Sequence, residues 1–225
     1  WGITLSNLAK LQNNEELFEN ACSKFELAVK NKEDDPLTFY SWGLTLSKLA
    51  RLQNSEKLYK ETCSKYELSI KYKEDDPLVL YNWGLTLSEL ARLQNNEKLY
   101  KEACTKYESA VKYKDDDHRT YCTWGITLFN LASLQNSEKL YKEACSKFEL
   151  AIKYKEDDPL AFYSWGRTLS ELASLQNNER LYKEACAKFE LAIKYKEDDP
   201  LAFYNWGIAL SNLAKLQNNE KLFKE

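Results

Sequence analysis

Six tryptophans stand at positions 1, 42, 83, 124, 165 and 206, each followed by glycine, at a constant spacing of 41 residues. Everything else in the chain moves in register with them. Self-similarity at a fixed period of about 20 to 50 residues marks a repeat array, in which each unit buries its apolar face only by stacking on its neighbours. The period therefore overrides the one or two globular domains that 225 residues would otherwise suggest. The reading is a single array over 1–225. It comprises a partial repeat at 1–35, full repeats at 36–76, 77–117, 118–158 and 159–199, and a partial repeat at 200–225. Both ends fall inside a repeat, so the sequence reads as a piece of a longer tract.

Each repeat carries two helix patterns and no strand pattern. In 36–76, Asp35 followed by Pro36 reads as an N-cap with proline at the first helical position. Phe39, Trp42, Gly43, Leu46, Leu49 and Ala50 then recur along one face of a 3.6-residue period. Gln53-Asn54-Ser55 interrupts that pattern, with Asn54 as the expected cap of a second helix. The second helix places Leu58, Tyr59, Thr62, Tyr66, Ser69 and Ile70 on one face before Glu74-Asp75-Asp76 restarts the cycle. Two helices of roughly 16–20 residues joined by short turns are expected in every unit.

Composition narrows the function classes. A content of 44% apolar, 13% aromatic and 30% charged residues supports an ordered core and argues against disorder. No apolar run approaches the roughly 20 residues that span a bilayer, and the first residues lack a signal-segment pattern. A net charge of −3 with acids and bases interspersed offers no broad footprint for nucleic acid or anionic membrane. No Asn-x-Ser/Thr acceptor points to secretion.

The residues of catalysis and metal binding are sparse. Every glycine follows a tryptophan inside a helix pattern, so no phosphate-binding loop exists. One histidine, His118, leaves no repeated acid–base apparatus. The Glu-Asp-Asp runs lack the turn glycine and distal glutamate of a calcium loop, and read as helix caps. Cys22, Cys63, Cys104, Cys145 and Cys186 occupy one position in successive second helices. Equivalent positions on neighbouring helices lie about 10 Å apart, too far for a disulfide, so they read as thiols packed as small apolar residues in a reducing, cytoplasmic setting. No enzyme, cofactor or metal is expected.

The unit PLAFYSWGRTLSELASLQNNERLYKEACAKFELAIKYKEDD (159–199) resembles the tetratricopeptide repeat (TPR). Phe162, Tyr163, Trp165, Gly166 and Leu169 match its first helix. Ala185, Phe189 and Ala192 match the small-xxx-aromatic-xx-small pattern of its second. The resemblance covers the whole chain but departs in length. The family unit has about 34 residues, and the seven extra ones amount to roughly one more turn, or ~5 Å, per helix.

What the resemblance implies is an all-α fold, a right-handed α-solenoid or superhelix of stacked antiparallel helix pairs, acting as a protein–protein interaction scaffold. A partner peptide or helix would lie in a concave groove lined by the first helices. Carried over position by position, the groove takes Leu37, Tyr40 and Leu44 in one repeat, and Leu78, Tyr81, Asn82 and Leu85 in the next. Further along come Arg119, Cys122 and Phe129, then Leu160, Tyr163 and Arg167, then Leu201, Tyr204 and Asn205. Asn82 and Asn205 are candidates to bind a ligand backbone. Tyr40, Leu44, Tyr81 and Leu85 stand where chaperone-tail-binding members carry basic and amide side chains, which argues against carboxylate capture.

The alternative is a structural array or spacer without a dedicated ligand, associating end to end through its terminal repeats. One stretch breaks the regularity. DDDHRTYCTWG at 115–125 replaces the proline, leucine and tyrosine of the other repeats with His118, Arg119 and Cys122. It stands open as a local specificity feature of the groove, a pair of metal ligands at i and i+4, or drift among duplicated units.

Overall fold

The computed structural model describes residues 1–31 and 35–217. The chain falls into two compact units, Trp1–Asp115 and Asp116–Glu225. The first contains α1 (Gly2–Gln12), α2 (Glu15–Asn31), α3 (Pro36–Gln53), α4 (Glu56–Tyr72), α5 (Pro77–Gln94) and α6 (Glu97–Tyr113). The second contains α7 (His118–Gln135), α8 (Glu138–Tyr154), α9 (Pro159–Gln176), α10 (Glu179–Tyr195) and α11 (Pro200–Gln217). Among the described residues there is no strand, and no helix is long and apolar enough to cross a membrane.

Helix starts follow the local chemistry. The Asp35 carboxylate accepts from Thr38 N, and Asp158 Oδ1 accepts from Leu160 N at 3.0 Å and Ala161 N at 3.3 Å, with proline beginning each helix. Such a cap contributes about 1 kcal/mol. The expected role of Asn54 is corrected. It ends α3 in the left-handed conformation, φ 48°, as do Asn13, Asn95, Asn136 and Asn177 in their repeats. Asparagine tolerates that conformation better than most residues, and the turn lets the next residue's N–H reach back, Ser55 N to Ala50 O at 3.0 Å. The second helix is capped instead by the following residue: Ser55, Asn96, Ser137 or Asn178.

Within each repeat the two helices pack together through a seam centred on the glycine. A Cβ on Gly43 would stand 2.6 Å from the Tyr66 ring, and one on Gly166 would stand 2.9 Å from Phe189. Gly84 and Gly125 face Tyr107 and Phe148 in the same way. The helices approach this closely only without a side chain there. All the first-helix residues expected inside α3 are buried, together with Thr45, which the apolar pattern omitted. Thr45 hides its hydroxyl by donating to Ser41 O at 2.8 Å, and Thr86 and Thr168 repeat the bond to Asn82 O and Ser164 O.

The tryptophans join repeats as well as helix pairs. Lys65 Nζ lies 3.8 Å from the centre of the Trp42 ring, Lys106 lies 3.5 Å from Trp83 and Lys188 lies 3.7 Å from Trp165, each lysine coming from the same repeat's second helix. The preceding repeat supplies a cysteine to the indole: Cys22 for Trp42, Cys63 for Trp83, Cys145 for Trp165 and Cys186 for Trp206. These N–H···S contacts are loose. Sulfur is a weak acceptor, and the indole nitrogens of Trp42, Trp83 and Trp206 make no well-formed hydrogen bond. The recurrent cysteine thus has a packing role, and no disulfide links any of the six. At the other end of the helices, Gln53 and Gln94 in the first unit, and Gln176 and Gln217 in the second, donate back to Glu15, Glu56, Glu138 and Glu179 of the preceding second helix.

Inside each unit the two helix types form distinct layers. First helices approach their equivalents in the next repeat, α1 with α3, α3 with α5, α7 with α9 and α9 with α11. Among the described residues of a unit, no second helix approaches another second helix so closely. The first helices therefore form the tighter, inner layer.

Candidate functional site

The inner layer turns one face away from the seam, and its apolar residues recur there at fixed offsets. Leu37 is 60% exposed and Leu78 is 45% exposed in the first unit; Leu160 and Leu201 are 54% and 59% exposed in the second. Each stands one residue after the proline that starts its helix. Four large side chains left in water at one repeat position contrast with their buried neighbours on the same helices.

The tyrosines expected on the groove are more constrained. Tyr40, Tyr81 and Tyr163 are half-buried, with rings 6.2–6.3 Å from the seam aromatics Tyr66, Tyr107 and Phe189. Two of their hydroxyls are engaged by the next repeat: Asn82 Nδ2 donates to Tyr40 Oη at 3.3 Å and Asn205 Nδ2 donates to Tyr163 Oη at 3.2 Å. The same amides donate to Leu78 O and Leu201 O. The amide nitrogens are thus engaged inside the protein, and the side-chain carbonyl oxygens are what Asn82 and Asn205 have left for a ligand backbone. The common task of the two amides is to fasten adjacent first helices. Tyr204 is exposed, while Leu44 and Leu85 are half-buried between repeats.

The irregular repeat keeps its helix but changes its start. His118 occupies the first position of α7, which is 18 residues long, as α9 is. The Asp117 carboxylate accepts from Arg119 Nε at 3.1 Å and from Thr120 Oγ1 at 2.8 Å, where Asp158 accepts from the backbone of the first turn. Arg119 is exposed with its guanidinium paired to that carboxylate. Cys122 is only 2% exposed, and burial pushes its thiol up to about 12. Its place on the face is therefore corrected: a thiol is too short to reach outward from where tyrosine stands in other repeats. Among the described residues no three His, Cys, Asp or Glu side chains converge as metal ligands would.

Charge on the face differs between equivalent positions. In α5, Glu89 is held by Arg92 of its own helix at 3.1 Å and by Arg51 of α3 at 3.9 Å. In α9 the equivalent Glu171 is exposed, and Ser174 and Ser133 occupy the places of those two arginines. No ion pair involves Glu171 among the described residues. Arg167 lies 4.7 Å over the Phe129 ring, which meets Tyr141 edge-on, and 5.7 Å from the Tyr163 ring. Beside them α9 and α11 enclose a cavity of about 190 Å³, lined by Arg167, Ser170, Glu171, Ser174, Phe189, Asn205, Ile208 and Asn212. The Ser170 hydroxyl is shielded from solvent and has no partner among the described residues. The apolar pattern gave no sign of this cavity. Arg167, Ser170 and Glu171 among its lining residues follow the groove positions that the resemblance implies.

No protein-family model and no curated protein sequence matches the chain. Solved structures do. The chain is similar to YrrB, a TPR protein with an unusual peptide-binding site, at 21% identity over 90% of this chain and 89% of that one, with a TM-score of 0.62. It is similar to PilW, a type IV pilus biogenesis factor, at 15% identity over 99% and 89% of the two chains, with a TM-score of 0.66. It also matches a tetratricopeptide repeat protein from Parabacteroides merdae at 15% identity over 99% and 78%, with a TM-score of 0.64. The fold of this chain, two helices to a unit and 41 residues to a repeat, is that of the tetratricopeptide-repeat proteins.

Proposed function

We propose that this protein is a protein-interaction scaffold that holds a peptide or helix of a partner against the face of its first helices. The observation that carries the reading is the recurrent exposure of Leu37, Leu78, Leu160 and Leu201 on the inner layer. The likeness of fold to YrrB, whose peptide-binding site is on record, supports it. The reading is of a binding protein rather than an enzyme. Its one histidine starts a helix, and the thiol nearest to it, Cys122, is buried and held protonated. Six cysteines without a disulfide suit a reducing, cytoplasmic setting.

The test is capture of peptides from a randomised display library by the chain and by face variants. Leu37→Glu with Leu78→Glu, and Leu160→Glu with Leu201→Glu, are expected to lose the captured peptides while helicity by circular dichroism is unchanged. Retention by both double variants overturns the assignment. The leucines make better probes than Tyr40, Tyr81 or Tyr163, whose rings also support the seam.

A second reading, end-to-end self-association, rests on the terminal helices. Trp1, Ile3, Leu8 and Leu11 of the first repeat, and Phe203 and Ile208 of α11, are exposed, and a Cβ on Gly207 would meet nothing within 4 Å among the described residues. A sedimentation coefficient that rises with concentration supports it; a constant monomer value removes it.

A further inference from the structure

We propose that the cavity between α9 and α11 receives a cationic side chain, lysine or arginine, of the partner peptide. The proposal rests on the reading of the first-helix face as a peptide-binding surface and gives that surface a chemical preference at one point.

The argument starts from two equivalent glutamates. Glu89 is neutralised by Arg51 and Arg92, and both of those positions are serine around Glu171. The helix lengths are the same in the two repeats and the glycine faces an aromatic ring in both, so the difference that matters at this glutamate is the charge left on the face. Glu171 lines a cavity of about 190 Å³, large enough for the end of a long side chain.

The other groups around it are suited to accept hydrogen bonds. Ser170 Oγ is shielded and without a partner among the described residues, the condition in which a hydroxyl gains most from a bound donor. Asn205 spends both amide hydrogens on Tyr163 Oη and Leu201 O, which leaves its carbonyl oxygen as the group it offers a ligand. Arg167 is the one basic residue of the described lining. Its guanidinium is drawn over Phe129 and Tyr163, which weakens its hold on the cavity without removing its repulsion. A carboxylate plus neutral acceptors is a site for N–H donors, and a charged donor gains most.

The direct probe is Nα-acetyl-lysine methylamide, titrated into the chain and followed by the amide resonances of α9 and α11. Nα-acetyl-norleucine methylamide serves as the uncharged control. Saturable shifts at Ser170, Glu171 and Asn205 with the lysine compound alone are expected, and Glu171→Gln should weaken them at least about tenfold. Ser133→Arg with Ser174→Arg, which copies the surroundings of Glu89, should have the same effect. Arg167→Leu, the residue at positions 44 and 85, should strengthen binding. In library selection, a lysine or arginine preference that vanishes with Glu171→Gln is expected. Enrichment of acidic residues, or a cationic preference indifferent to Glu171→Gln, overturns the proposal. Captured peptides without cationic preference, together with no lysine-specific shifts, sink this inference and leave the peptide-binding reading standing. Lysine-specific shifts with no captured peptide do the reverse.

Discussion

The seam between paired helices and the open face of the first helices are made by the same segments, yet they vary differently from repeat to repeat. At the seam, glycine is present in every repeat, and the ring facing it is Phe25, Tyr66, Tyr107, Phe148 or Phe189. On the face, equivalent positions read Leu44, Leu85, Ile126, Arg167 and Ile208, or Lys48, Glu89, Asn130, Glu171 and Asn212. The contrast follows from packing. A seam closed to within 3 Å of a ring tolerates no added atom, while a side chain facing water changes without disturbing a neighbour. The seam sets the fold, and the face is free to vary.

The contrast predicts a hierarchy of stability effects. Phe189→Ala leaves a cavity under Gly166 and is expected to cost about 3–5 kcal/mol, read from urea unfolding; a loss under about 1 kcal/mol breaks the account of the seam. Next comes Gly43→Ala, which must displace the Tyr66 ring and is expected to cost about 1–3 kcal/mol. Its companion Gly207→Ala meets no neighbour among the described residues and is expected to gain about 0.5–1 kcal/mol through helix propensity. Equal effects from the two substitutions would show that packing is not what keeps glycine at the seam.

The thiols sharpen the same comparison through pH. Burial, first among the causes, raises Cys63, Cys122 and Cys145 from 9.0 to about 12. A raised value means that the unfolded chain loses these protons first. The contribution to stability is therefore complete below pH 9.0 and is lost as the pH rises towards 12. Alkylation at pH 8 is expected to be at least about tenfold slower in the folded chain than in urea, since only the thiolate reacts. Equal rates would place these thiols outside the packed region. Smallest of all on stability should be Leu78→Glu and Leu160→Glu, within about 0.5 kcal/mol of the parent.

How much was legible beforehand follows the same division. The period, the helix pairs, the proline-led starts and the seam glycines were readable, because each is a local rule repeated in every unit. Asn54 was misassigned because asparagine serves both helix ends, and only the backbone conformation distinguishes them. The cysteines were read as small apolar residues, but their placement against the next repeat's indole depends on how helices 20 residues apart stack. On the face, the exposed leucines followed the family's pattern. The burial of Cys122, the engaged amides of Asn82 and Asn205 and the cavity beside Glu171 required the neighbouring repeat in three dimensions. The apolar period alone fixes neither how far a side chain reaches nor which group of the next repeat it meets.

The central claim is that partner binding belongs to the first-helix face. It is tested most directly by mapping the strongest peptide from a display selection onto the chain through amide-resonance shifts. The account predicts perturbations beside Leu37 and Leu78, or Leu160 and Leu201, with the outward faces of α4, α6, α8 and α10 unchanged. Perturbations concentrated on those second helices would contradict it.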